Sequence, residues 1–251
     1  MMSKIQWTEK TWNPIAGCSK VSPGCKNCYA ETMGQPKYQN VLTSNGRWNG
    51  NVAFWPDTLS IPERVKKPTT WFVNSMSDLF HVDVEYEWLK SVWAVMANTP
   101  RHTYQILTKR PFIMSGRVLW LVNLHDILPN VWLGTSVENQ GWADERIPYL
   151  LETPAAVRFL SMEPLLGPVD ISPFAAALDW VIVGGESGPN ARPMSSEWVR
   201  SIRDQCQEAG VAFFFKQWGE WRDGQRVGKK VAGRLLDDVE WSQMPLIREP
   251  A

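Results

Sequence analysis

Three of the four cysteines in this chain, Cys18, Cys25 and Cys28, fall in one stretch, GCSKVSPGCKNCYAE. Six residues separate the first two, and two residues separate the last two. Thiolate is the side chain suited to soft metals and to iron–sulfur clusters. A Cys-x2-Cys pair on a turn lets two sulfurs converge on one metal. Ser22-Pro23-Gly24 is turn chemistry that can fold Cys18 back toward them. The segment from Lys26 reads as a helix start, so the last sulfurs are expected near a helix N-terminus, where the dipole favours thiolate. Three ligands are one short of a closed zinc or cluster site. Cys206 lies on the apolar stripe of a late helical pattern and reads as a core thiol. No histidine follows at zinc-finger spacing, and His81 is a minor candidate for a fourth ligand. Three protein ligands leave one metal position open, which is how a metal site takes a reactant.

A second set of polar groups recurs where short apolar runs end. WFVNSMSD, from Trp71, ends in Asn74, Ser75, Ser77 and Asp78, and YQILTKRP, from Tyr104, in Thr108, Lys109 and Arg110. VWLGTSVEN gives Ser136, Glu138 and Asn139, and VRFLSMEPL gives Ser161 and Glu163. WVIVGGESG gives Gly184, Gly185, Glu186 and Ser187, and VAFFFKQWG gives Lys216 and Gln217. Parallel strands would carry all of these to one pole, where α/β barrels keep their chemistry. Charge at successive strand ends reads as a functional rim, with a structural ring of salt bridges as the competing reading. Gly184-Gly185 suits either close approach of a ligand to the backbone or a tight turn.

Each apolar run is short and rich in β-branched and aromatic residues, the pattern of a buried strand. TWNPIAGC, from Thr11, supplies a first strand despite its proline. Helical patterns lie between several runs. Trp88, Leu89, Val92, Trp93, Val95 and Met96 line one face before Pro100. Val199, Ile202, Cys206 and Ala209 form another stripe, with Gly210 as C-cap. QGWADERIPYLLE and ISPFAAALDW are shorter helical patterns. This alternation predicts an α/β fold with right-handed crossovers, a complete or partial (β/α) barrel of six or seven parallel strands. A doubly wound open sheet is the runner-up. Residues 36–68 break the rhythm: Asn45-Gly46 and Asn49-Gly50 are turn signals, so a hairpin-like insert is expected after the first helix. Trp48 and Trp55, with Lys66 and Lys67 nearby, are candidates to stack on and steer a nucleic acid, while ERVKKP reads as a solvated face. The whole chain, 1–251, is expected to be one domain, with 220–251 as a C-terminal extension.

The length of 251 residues accommodates one such barrel. With 44% hydrophobic and 21% charged residues the composition is that of a soluble globular protein, and most of the 15 tryptophans read as core. Formal net charge is zero, so there is no bulk pull toward nucleic acid. No apolar run is long enough for a membrane span, and MMSKIQWTEK lacks the apolar centre of a signal peptide. The expected location is the cytoplasm, where clustered cysteines bind metal or do chemistry more often than they form disulfides. Oligomeric state is not legible.

Three cysteines in a loop after the first strand of an α/β barrel resemble the radical S-adenosylmethionine (SAM) superfamily. The resemblance implies that Cys18, Cys25 and Cys28 hold three irons of a 4Fe–4S cluster whose fourth iron chelates SAM. It implies an electron donor, reductive cleavage of SAM, and a 5′-deoxyadenosyl radical that takes hydrogen from a substrate. The commonest superfamily spacing is shorter between the first two cysteines, and its aromatic residue precedes the last one, whereas here Asn27 precedes it and Tyr29 follows. Longer motifs carry a narrower resemblance: WNPIAGCSKVSPGCKNCYAE, FVNSMSDLFH, LTKRP, WLGTSVEN, RFLSMEPLLGP, VIVGGESG, FFFKQWG and KKVAGRLLD. Together they are similar to the phage and prophage family named after the phage proteins Gp thirty-seven and Gp sixty-eight, itself regarded as radical-SAM-like. By analogy with the superfamily, Ser75, Ser77 and Asp78 meet the SAM amino group, Ser136 and Glu138 its ribose and carboxylate, and Gly184 and Gly185 its adenine. Lys109, Arg110, Glu163, Glu186 and Lys216 are left as catalytic candidates for the substrate or the SAM carboxylate. The phage-like resemblance points to modification of a nucleic-acid base or nucleotide, with a small molecule or peptide also open. Two alternatives stand beside it: a zinc-binding barrel with a structural or hydrolytic three-cysteine site, and a non-catalytic interaction protein.

Overall fold

The expected apolar runs become seven strands: β1 Lys10–Trp12, β2 Thr70–Val73, β3 Thr103–Thr108, β4 Val131–Ser136, β5 Val157–Met162, β6 Trp180–Gly184 and β7 Ala212–Gln217. The structure, a computed structural model, describes residues 5–38 and 41–246. Two residues of the expected insert, 39 and 40, and the end of the expected extension, 247–251, lie outside the described residues. The strands hydrogen-bond in sequential order in one sheet, with parallel registers such as Trp12↔Val73, Val73↔Ile106 and Trp180↔Ala212. Among the described residues five longer helices accompany them: α1 Tyr29–Tyr38, α2 Tyr86–Asn98, α3 Pro111–His125, α4 Gln140–Glu152 and α5 Ser196–Ala209. The result is an α/β partial barrel, as the alternation of runs and helical patterns predicts.

The chain divides into two compact units, Met1–Leu133 with Glu152–Ala156, and Gly134–Leu151 with Val157–Ala251. In the first, α2 buries Leu89, Val92, Trp93, Val95 and Met96, while Trp88 stacks on Phe54 with centroids 5.5 Å apart. The helix stops just ahead of Pro100, whose ring disfavours helical backbone in the residue before it. The insert forms its hairpin, Thr43–Ser44 against Arg47–Trp48, because Asn45 and Gly46 both take the positive φ of a two-residue turn. A second short pairing was not expected: Ala53–Phe54 runs antiparallel to Ile15–Ala16. Trp48 and Trp55 pack on Leu42 and Ala16, so their rings serve a small core beneath the insert.

In the second unit, Trp180 is fully buried, with ring centroids 5.7 Å from Phe159 and 6.0 Å from Phe214. α5 buries Val199, Ile202 and Cys206; the Ser195 hydroxyl accepts from the Glu197 amide at its start, and Gly210 closes it in the left-handed region. Beyond β7, two hairpins follow, Trp221–Arg222 with Gln225–Arg226 and Leu235–Leu236 with Val239–Glu240. The chain then returns along β7, where the Phe215 amide donates to the Trp241 carbonyl at 3.0 Å. No helix among the described residues is long and apolar enough to cross a membrane.

Candidate functional site

The cysteine loop leaves the end of β1 through a tightly held base. The Gly17 amide donates to the Met76 carbonyl at 3.1 Å. Gly17 has φ +96°, and a Cβ there would stand 2.1 Å from the Asn51 carbonyl oxygen, so no side chain fits. The Ser77 hydroxyl donates to the Ile15 carbonyl at 2.9 Å, and the Asn13 side-chain oxygen accepts from the Ser75 hydroxyl at 3.1 Å and the Met76 amide at 3.0 Å. Ser22-Pro23-Gly24 supplies the expected turn, a 3-10 turn over Pro23–Cys25 with the Cys25 amide on the Ser22 carbonyl at 3.0 Å. α1 starts at Tyr29 rather than Lys26, so of the three cysteines Cys28 alone stands immediately before the helix, and Cys25 ends the turn ahead of it.

All three loop cysteines are free of disulfides and half-buried. Burial pushes the Cys18 thiol up to about 12, the Asp78 carboxylate adds to the rise, and Arg110 opposes it; Cys28 is near enough to contribute as well. Cys18 is therefore a neutral thiol at pH 7 unless a metal cation displaces its proton. The donor set fits a soft metal or iron–sulfur group in kind. Its sulfurs are not drawn together: among the described residues no three His, Cys, Asp or Glu side chains are gathered closely enough to hold a metal ion. His81 stands apart from the sulfurs, 2.7 Å from the Ser19 hydroxyl and 3.6 Å from the Asp83 carboxylate.

Behind Cys18 lies a saturated polar cluster. One Asp78 oxygen accepts from the Phe80 amide at 2.9 Å and the Thr108 hydroxyl at 2.7 Å; the other accepts from the Lys109 amide at 3.2 Å and Arg110 Nη1 at 2.8 Å. Arg110 Nη1 also faces Cys18 Sγ at 3.9 Å, and its Nη2 donates to both the carbonyl and the hydroxyl of Ser19 at 2.9 Å. Of the expected residues in this unit, Cys18, Asp78 and Arg110 thus meet directly. Ser75 and Ser77 brace the loop base, and Lys109 meets Asp78 through its backbone. Sequence reasoning missed Asn13, Gly17 and Ser19, whose roles depend on partners remote in sequence.

The expected residues of the second unit are mostly paired within it. Arg146 Nη1 donates to the Ser136 carbonyl at 2.8 Å and to Glu138 at 3.0 Å, with Glu138 fully buried. Glu186 holds Arg192 by two side-chain bonds, 2.6 and 2.9 Å, and accepts its backbone amide at 2.9 Å. Lys216 Nζ is 3.0 Å from one Glu163 oxygen, while the other Glu163 oxygen is buried without a hydrogen-bond partner among the described residues. A Cβ on Gly184 would stand 2.8 Å from that second oxygen, and one on Gly185 would stand 1.9 Å from the Trp218 carbonyl. The glycine pair therefore makes room for neighbours inside this unit. Burial lowers the pKa of Lys229, and Lys216 beside it adds to the effect.

Comparison with known structures gives distant likenesses. A spore photoproduct lyase mutant in which a cysteine is replaced by serine is 13% identical, with a TM-score of 0.49, over 83% of this chain and 75% of that one. A mutant of spore photoproduct lyase with bound AdoMet and dinucleoside spore photoproduct is 13% identical, with a TM-score of 0.47, over 83% of this chain and 64% of that one. Spore photoproduct lyase complexed with dinucleoside spore photoproduct is 13% identical, with a TM-score of 0.44, over 77% of this chain and 59% of that one. No curated protein matches. The profile of one family does match, over residues 2–245, and it takes in the cysteine loop and all seven strands; the chain belongs to that family, described as protein of unknown function (DUF5131).

Proposed function

We propose that this protein is a radical SAM enzyme whose Cys18, Cys25 and Cys28 hold a 4Fe–4S cluster, and that it modifies a nucleic-acid base or nucleotide. The observation that carries the proposal is the trio of free, half-buried cysteines in one loop, rooted at the end of β1 and clasped by Arg110 from just beyond β3. When bound, such a cluster supplies the single electron that cleaves SAM. The chain's own part is to hold the loop. Gly17 fixes its base, Ser75 and Ser77 tie that base to Asn13 and Ile15, and Asp78 orients Arg110 against Cys18 and Ser19. In the second unit, Glu163 and Lys216 are the pair proposed to meet a polar ligand, because one buried Glu163 oxygen has no hydrogen-bond partner among the described residues. The zinc alternative shares the same sulfurs and differs in what they bind.

The test is turnover of SAM by anaerobically reconstituted protein in the presence of a strong reductant. The proposal expects 5′-deoxyadenosine and methionine to form, and neither product from a Cys28→Ala variant of equal fold content. Iron-loaded protein that leaves SAM intact under reduction would remove the radical reading. Mass analysis of nucleosides from cells with and without the gene then tests the substrate class.

A further inference from the structure

We infer that Arg110 is a positioning residue that sets where the Cys18 sulfur stands and tunes the metal bound there. The inference rests on the proposal that the three cysteines hold a metal group. Arg110 is fixed at both ends. Its backbone amide donates to the Thr108 hydroxyl at 2.9 Å, and the same hydroxyl donates to Asp78 at 2.7 Å. Its guanidinium, with only 8% of the side chain exposed, is spread over Asp78, Ser19 and Cys18. The Ser19 hydroxyl it grips is held from the far side by His81 Nε2 at 2.7 Å.

This arrangement draws on the loop after β1, the turn after β2 and the end of β3. It commits the Arg110 guanidinium to Asp78, Ser19 and Cys18, whereas the superfamily resemblance left Arg110 as a candidate for the substrate or the SAM carboxylate. A planar guanidinium can donate in several fixed directions at once, whereas a lysine ammonium at the same site would meet Asp78 but not span to Ser19 and Cys18 together. Partners standing behind a metal ligand set its orientation, and an N–H directed at a coordinating sulfur raises the reduction potential of the group it binds. Arg110 Nη1 carries the N–H that reaches Cys18 Sγ, at 3.9 Å.

The experiment compares reconstituted wild type with Arg110→Lys and with Ser19→Ala. Lysine keeps a positive charge opposite Asp78, and Ser19→Ala leaves the Arg110–Asp78 pair intact, so the two variants stress the fold differently. Three readouts are taken: iron per chain, loss of iron to a chelator, and midpoint potential from a redox titration followed by electron paramagnetic resonance. Arg110→Lys is expected to fold, to lose iron at least ~10-fold more readily, and to show a lower midpoint potential. Ser19→Ala is expected to move the same two readouts in the same direction by less. Folded variants with wild-type potential and chelator resistance would overturn the inference while leaving the cysteine site standing. Wild-type protein that takes up no iron would overturn both.

Discussion

Gly17 has no room for a side chain, because the Asn51 carbonyl lies where its Cβ would be and its φ is +96°. Gly50 has a similar backbone, φ +92°, but a Cβ there would meet nothing within 4 Å. Alanine at Gly50 should cost only the backbone term, ~1–3 kcal/mol. Alanine at Gly17 should cost more, because either Asn51 or the root of the cysteine loop must shift. Urea unfolding of both variants measures the difference; equal losses would mean that the contact with Asn51 carries no weight. The cysteines themselves were legible, since residue type and spacing alone restrict what three clustered thiols do. Gly17 and Ser19 were not, because the need for each comes from a group brought near only by folding: Asn51 for one, Arg110 and His81 for the other.

The strands were legible as elements because each is a short apolar run ending in polar residues, and α4 spans the very residues of its helical pattern. α3 was not anticipated. Apolar residues surround it, with Met114, Val118 and Leu121 buried and Phe112 and Leu119 exposed, so no polar stripe marks its outer face. The pairing of strand-end charges was also hidden. Glu138 reads from the sequence as a rim group, yet it lies fully buried against Arg146 of α4, whose guanidinium also sits 4.0 Å from the Trp142 ring centroid. Arg146→Met would keep bulk on that helix face and strand a buried carboxylate. The expected loss is ~3–5 kcal/mol, read from the denaturation midpoint at pH 7. The double change Arg146→Met with Glu138→Gln should recover part of it, and no recovery would show that the pair is not the source.

Across the whole chain, zero net charge and ordinary composition said little about function, and the family that matches has no described function. Alternating apolar runs and helical patterns were enough to give the α/β partial barrel. They could not tell which polar strand ends face a ligand and which close on a neighbour, since both produce the same local sequence. Within each unit the structure shows strand-end charges paired, Asp78 with Arg110, Glu138 with Arg146, Glu163 with Lys216 and Glu186 with Arg192. What distinguishes the cysteine loop is that its three thiols are free and half-buried, whereas Cys206 is buried. The most direct measurement is iron and acid-labile sulfide per chain after anaerobic reconstitution, in wild type and in the variant with Cys18→Ala, Cys25→Ala and Cys28→Ala combined. A cluster on these three sulfurs predicts about four irons with matching sulfide in the first and none in the second, with both folded. Equal metal in the two proteins, or a wild type that holds zinc alone, would contradict it.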